Sequence, residues 1–163
     1  MQNKALVVID IQNDITKNYK SIIDNINKSI DWAVNNAIHV VYMRQEYTSE
    51  TMKKFKPDTF GSELVPDLRI VSDNIFIKAK QNALSSEAFS DFISKNEIDE
   101  FYLTGADALV CVKSTCYNLL KAGYKVTVIS DCVTSYDTKK IDEMLQYYES
   151  KGSRIISSNN LPG

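Results

Sequence analysis

A doubly wound three-layer α/β/α domain is the fold class this sequence predicts, and three observations lead to it. Apolar, β-branched runs of strand length alternate with helix-spaced segments throughout the 163 residues. The strand runs are apolar at nearly every position, as in parallel strands buried on both faces. No linker, internal repeat or low-complexity tract divides the chain. A single domain over 1–163 is therefore expected, with right-handed crossovers placing helices on both faces of a parallel sheet.

The elements follow in order. Residues 4–10 form the first strand, and Ile22, Ile23, Ile26, Ile30, Ala33 and Ala37 recur at helical spacing between Tyr19 and Ala37. Residues 38–44 give a second strand. A polar excursion with Pro57, Gly61 and Pro66 follows, of a length that in compact domains is usually functional or disordered. Residues 74–78 form a third strand, 86–97 a helix, 100–104 a fourth strand, and about 109–122 a helix closed by Gly123. A fifth strand over 125–130, a helix over 138–150 and a sixth strand over 154–157 complete the series.

Composition narrows the function. The chain is 44% apolar and 25% charged with a formal net charge of −2, so neither a nucleic-acid nor an anionic-membrane surface is expected. No apolar run approaches the ~18 residues of a membrane span. The N-terminus enters a strand at once, leaving no room for a signal peptide. Three cysteines are an odd number without metal-site spacing, which points to reduced thiols and a cytoplasmic location.

Three of the strands run straight into a reactive side chain: Asp10, Lys78 and Cys111. If those strands are parallel, the three converge at the carboxyl edge of the sheet, where open α/β sheets bind ligands. A thiol, a carboxylate and an ammonium together are the parts of a cysteine-nucleophile hydrolase. Cys111 falls in the first turn of a helix, whose amides and dipole favour a thiolate and lower its pKa. Each residue alone has a plainer role: Cys111 as a small buried hydrophobe, Asp10 as a loop cap, Lys78 as a strand-end lysine reaching water. Lys80 is the rival to Lys78, and Cys132, after Asp131, a second candidate nucleophile. Cys116 shares core spacing with Val112, Leu119 and Leu120 and is assigned to packing. The one histidine, His39, lies within a strand and is read as structural, so the base must be a carboxylate. No glycine-rich phosphate loop follows the first strand.

With these residues in place, the chain resembles the isochorismatase-like cysteine hydrolase superfamily, whose Rossmann-like members include nicotinamidases, carbamoylsarcosine amidases and isochorismatase. Ala5-Leu-Val-Val-Ile-Asp-Ile-Gln-Asn-Asp14 matches its opening strand and Asp-x-Gln-Asn-Asp signature. Thr59-Phe-Gly-Ser-Glu-Leu-Val-Pro-Asp67 resembles the segment before its third strand, and Phe76-Ile-Lys-Ala-Lys-Gln-Asn-Ala-Leu84 aligns Lys78 with the family lysine. Gly105 to Thr115, then Gly123-Tyr-Lys-Val126 and Ser130-Asp131, resemble the cysteine motif and its sequel.

The resemblance implies a six-stranded parallel sheet and a catalytic triad of Asp10, Lys78 and Cys111, cleaving a C–N bond of a small amide or ureido compound through a thioester. It also implies a non-proline cis peptide at Ala106–Asp107, an oxyanion hole from the backbone N–H groups of Asp107 and Cys111, and a homo-oligomer, dimer or tetramer. Gln12 and Arg44 are the candidates for substrate binding, Arg44 as partner of a substrate carboxylate. Nicotinamidases hold a metal through an Asp and histidines after the second strand. Here Arg44-Gln-Glu-Tyr47 stands there, so no metal and no cofactor are expected. Asp107 and Ala108 depart from the family's small residue and threonine. An acid beside the oxyanion site leaves a second reading open, a catalytically degenerate ligand-binding or redox-sensing homologue.

Overall fold

The computed structural model describes residues 2–15 and 18–163. Six strands, β1 (Lys4–Ile9), β2 (His39–Gln45), β3 (Ile75–Lys78), β4 (Glu100–Ala106), β5 (Lys125–Thr134) and β6 (Arg154–Ile156), form one sheet in the order β3-β2-β1-β4-β5-β6. Every pairing is parallel. The helices are α1 (Ile23–Asn35), α2 (Glu87–Lys95), α3 (Cys111–Lys121) and α4 (Ile141–Ser150).

The period of two within each strand divides the core into two layers. Ala5, Val7 and Ile9 pack with Val41, Met43, Phe101 and Leu103 beneath α2, α3 and α4. Leu6 and Val8 pack with Val40, Tyr42, Tyr102 and Ile129 against Ile26, Ile30 and Ala33 of α1. The sheet is thus covered on both faces, which is why its strands read as continuous apolar runs. Among the described residues no helix is long and apolar enough to cross a membrane.

Two elements differ from expectation. The first helix begins at Ile23 after a 3-10 turn over Tyr19–Ser21, and it ends at Asn35. There Ala37 turns into the left-handed region (φ 53) and Ile38 N–H returns to Ala33 O. Strand β5 runs four residues past the expected end at Ser130. Its register against β4 shifts between Leu103 and Gly105, where residues 129–132 stand opposite Thr104 alone in a bulge. Polarity does not end the strand there because the bulge is satisfied by the chain's last turn. Asp131 accepts from Ser158 N–H at 2.8 Å and from its hydroxyl at 2.6 Å.

Strands β1 and β4 are neighbours from which the chain winds in opposite directions, so their carboxyl ends flank the switch-point crevice of a doubly wound sheet. Gly105 makes that approach possible. Its φ is 114, and a Cβ built there would lie 2.1 Å from Ile9 O.

Candidate active site

Asp10, Lys78 and Cys111 meet at this crevice. Asp10 leaves β1 in the left-handed conformation (φ 55), which aspartate tolerates better than most residues. Its N–H donates to Met43 O on β2 at 3.0 Å. Lys78 ends edge strand β3 yet is only 1% exposed, whereas Lys80 is exposed. Cys111 is the first residue of α3 and 7% exposed. Thr115, one turn along, accepts the Ala83 N–H at 3.0 Å, tying the segment after Lys78 to the helix that carries Cys111.

The Lys78 ammonium has three hydrogens, and all three are directed. Nζ donates to Asp10 Oδ2 at 3.0 Å, to Gln45 Oε1 at 2.5 Å and to Cys111 Sγ at 3.4 Å. Nothing remains for a ligand, so the lysine orients the other groups. The Asp10 carboxylate interacts with the Cys111 thiol as well as with Lys78, and its Oδ1 is buried without a conventional hydrogen-bond partner.

Electrostatics differ from the helix-terminus expectation. Burial raises the Cys111 pKa to about 12, and the Asp10 charge adds to the rise, while Lys78 lowers it only in part. Burial also raises Asp10 above its usual 3.8, against the lowering effect of Lys78. The α3 terminus therefore does not make Cys111 a standing thiolate. Desolvation and a neighbouring carboxylate both act against it.

A cleft of about 220 Å³ opens above these residues. Asp10, Gln45 and Cys111 line it, with Ile15, Tyr47, Phe55, Val110 and Tyr136 forming apolar walls. It is smaller than the ~300–1,000 Å³ usual for drug-sized ligands.

The isochorismatase domain matches residues 4–160. The chain belongs to the isochorismatase family. Isochorismatase family protein 2A of Dictyostelium discoideum is 27% identical over 170 residues, covering 96% of this chain and 79% of that protein. Among solved structures, an isochorismatase-like hydrolase from Alkaliphilus metalliredigens shares the fold with a TM-score of 0.87 at 22% identity, covering 96% of this chain and 95% of that one. The N-carbamoylsarcosine amidase of Thermoplasma acidophilum does so with a TM-score of 0.86 at 21% identity, covering 98% and 99%.

Within this isochorismatase-family site, both expected substrate-binding side chains are placed elsewhere. Gln12 is fully buried and bonded only to backbone. Its Nε2 donates to Gln45 O at 2.9 Å and Ser62 O at 2.8 Å, and its Oε1 accepts from Gln45 N–H at 2.8 Å. The motif glutamine is thus a clamp joining the ends of β1 and β2 to the excursion. Arg44 alternates away from Gln45 along β2. Its guanidinium donates to Ser62 O at 3.0 Å and Ser62 Oγ at 3.1 Å and lies 3.4 Å from Glu46, outside the cleft. Cys132, the rival nucleophile, faces α1 and lies 3.4 Å from Ser29 Oγ, on the opposite side of the sheet from Cys111. Cys116 packs in the core with Val112 and Leu119.

Asp107 does not aim its charge at the reacting centre. Oδ1 accepts from Leu109 N–H at 2.8 Å and Oδ2 from Tyr136 N–H at 3.0 Å, so the carboxylate organises the turn into α3. The acidity that favoured a degenerate homologue is absorbed by backbone amides. The Ala106–Asp107 peptide bond is cis. Among the described residues, no hydrogen bond takes the N–H of Asp107 or of Cys111.

The residues that sequence reasoning missed are Gln45, Tyr47, Phe55 and Tyr136. The first sits within the quoted segment Arg44-Gln-Glu-Tyr47, and strand alternation alone would have exchanged it for Arg44. Phe55 gave no signal: it reaches the cleft because Asp14 Oδ2 accepts its N–H at 2.7 Å and its carbonyl accepts Tyr47 N–H at 2.8 Å. Gly61 serves the same wall, since a Cβ there would fall 2.1 Å from Asp14 Oδ2. Gly61→Ala is expected to displace Asp14 from Phe55, lowering stability by about 1–3 kcal/mol. Limited trypsin digestion should then cut first at Lys53 or Lys54, since Pro57 blocks cleavage after Lys56; unchanged cleavage would show that the wall does not depend on Asp14.

Among the described residues no group of three or more His, Cys, Asp or Glu is arranged to hold a metal ion. His39, the single histidine, is buried against the Phe92 ring at 5.4 Å.

Proposed function

We propose that this isochorismatase-family chain is a metal-independent cysteine hydrolase that cleaves a C–N bond of a small amide or ureido compound. The observation that carries the reading is Lys78, whose ammonium holds the Asp10 carboxylate, the Gln45 amide and the Cys111 thiol around one centre at the cleft floor. The solved relative named N-carbamoylsarcosine amidase supports the same bond type.

In this reading Asp10 removes the thiol proton as Cys111 Sγ attacks the substrate carbonyl, forming a tetrahedral oxyanion. The N–H groups of Asp107 and Cys111 are the donors for that oxyanion. As the C–N bond breaks, Asp10 gives the proton to the departing nitrogen, and an acyl thioester remains on Cys111. Asp10 then takes a proton from water, whose oxygen attacks the thioester and releases the acid. The proton returns to sulfur and the site is restored. The raised thiol pKa suits this sequence, because the proton moves only when substrate is present. Lys78 contacts no substrate atom and acts as a positioning residue.

Cys111→Ala is expected to abolish turnover of a panel of small amides and ureides, while wild-type protein mixed rapidly with substrate shows an acyl adduct by mass spectrometry. Turnover unaffected by the substitution would refute the assignment.

A further inference from the structure

Two buried polar atoms at the cleft floor have no hydrogen-bond partner, Asp10 Oδ1 and Gln45 Nε2. The orientation of the Gln45 amide is fixed by its neighbour. An ammonium only donates, so Oε1 faces Lys78 and the NH2 group faces away. The Gln45 backbone is held at both ends by Gln12, so the side chain cannot turn to another acceptor without releasing Lys78. Buried donors are nearly always paired in folded proteins, and one left unpaired in a residue that lines a cleft calls for a ligand acceptor.

The sheet order places that acceptor. Across the cleft floor come Gln45 from β2, Asp10 from β1 and Asp107 from β4. The Asp107 amide therefore lies towards β4, with Cys111 following on α3, and the Gln45 amide lies towards β2 with Asp10 between them. A carbonyl oxygen seated on the β4 side leaves its departing nitrogen on the β2 side, beside Asp10 and Gln45. Because both accept from one ammonium, Asp10 and Gln45 stand side by side, each with its other polar atom unpaired.

We propose that Gln45 selects substrates whose leaving nitrogen bears a second carbonyl: ureides and N-acyl amides rather than primary carboxamides. The leaving N–H donates to Asp10 Oδ1, and the adjoining carbonyl accepts from Gln45 Nε2. A primary carboxamide leaves Nε2 unpaired, which is how sites with buried polar groups reject analogues lacking the partner. The inference rests on the hydrolase reading above and narrows its substrate class.

N-acetylurea and acetamide test it, because both would leave the same acetyl thioester on Cys111 and differ only in releasing urea or ammonia. Gln45→Glu keeps an acceptor for Lys78 and removes the donor. The ratio of kcat/KM for N-acetylurea over acetamide is expected to fall about 10- to 100-fold in that variant. Comparing variant with wild type cancels the intrinsic difference between the leaving groups; an unchanged ratio overturns the proposal. Should Gln45→Glu not fold, Gln45→Met must show the same fall in ratio. Binding to Cys111→Ala, followed by NMR titration, separates the two claims. Tighter binding of N-acetylurea that disappears on adding Gln45→Glu supports the selection even if wild type turns over neither compound, a result that would defeat the hydrolase reading alone. Equal binding of the two compounds while Gln45 is present overturns the selection.

Discussion

Lys78→Met is expected to cost about 3–5 kcal/mol of stability near neutral pH and about 10²- to 10⁴-fold in activity. Methionine fills similar space, so the loss is electrostatic. It leaves Asp10 buried without its cation, Gln45 Oε1 without a donor, and Cys111 Sγ without its N–H. The pH dependence separates this cause from poor packing. Burial already raises the Asp10 pKa and Lys78 opposes the rise, so removing Lys78 raises it further. A carboxyl raised in the folded state binds protons that the unfolded chain has released. Stability of the variant should therefore fall as pH climbs from about 3.8 to the new folded pKa, and level off above it. Urea denaturation of both proteins at pH 4 and pH 8 checks this. The gap between them should widen at pH 8; an equal gap at both would assign the loss to packing.

Gly105→Ala is expected to be the most damaging single methyl in the chain. Its Cβ would fall 2.1 Å from Ile9 O, 2.6 Å from Ile9 N and 2.8 Å from Ile9 C, all backbone of the central strand. Neither partner can yield, because β1 is hydrogen-bonded to β2 on its other side and buried on both faces. The positive φ adds strain. A loss above about 4 kcal/mol follows, a large part of the ~5–15 kcal/mol by which domains are stable. Gly123→Ala is the control: its φ is 93, but nothing lies within 4 Å of the added Cβ, so only about 1–3 kcal/mol is at stake. Thermal unfolding of both variants measures the difference. Equal losses would show that backbone conformation, and not contact with β1, governs Gly105.

Much of this was legible in the sequence because it depends on local pattern. Continuous apolar runs announce strands buried on both faces, and the residue ending each run marks the carboxyl edge, which is how Asp10, Lys78 and Cys111 stood out. What stayed hidden depends on pairings distant in sequence. Ser130 and Asp131 looked like a strand end because nothing local reveals that Ser158 would satisfy the Asp131 carboxylate. Cys111 at a helix start suggested a low pKa, but desolvation by the surrounding fold decides the opposite sign. Gln12 and Arg44 are polar residues near the right edge, and the Ser62 carbonyl that accepts from both lies in a segment whose path sequence pattern does not trace. Gln45 was hidden because its unpaired Nε2 is defined by what Lys78 takes from the other end of the amide.

The excursion between β2 and β3 is held in its later part by Asn27 of α1 and Tyr42 of β2, and in its cleft-facing part chiefly by the loop after β1. Gln12 pairs with Leu64 in an isolated antiparallel bridge and grips Ser62. Asn13 N–H donates to Glu63 O and Asp14 N–H to Gly61 O. These anchors come from the loop after β1, joined by Arg44 of β2 on Ser62, while the proposed chemistry is carried by Asp10, Lys78 and Cys111 on the sheet and α3. The wall bearing Phe55 is therefore fixed by contacts that do not pass through Lys78 or Cys111. What the cleft admits can thus be altered at that wall while the proposed reacting centre stays in place.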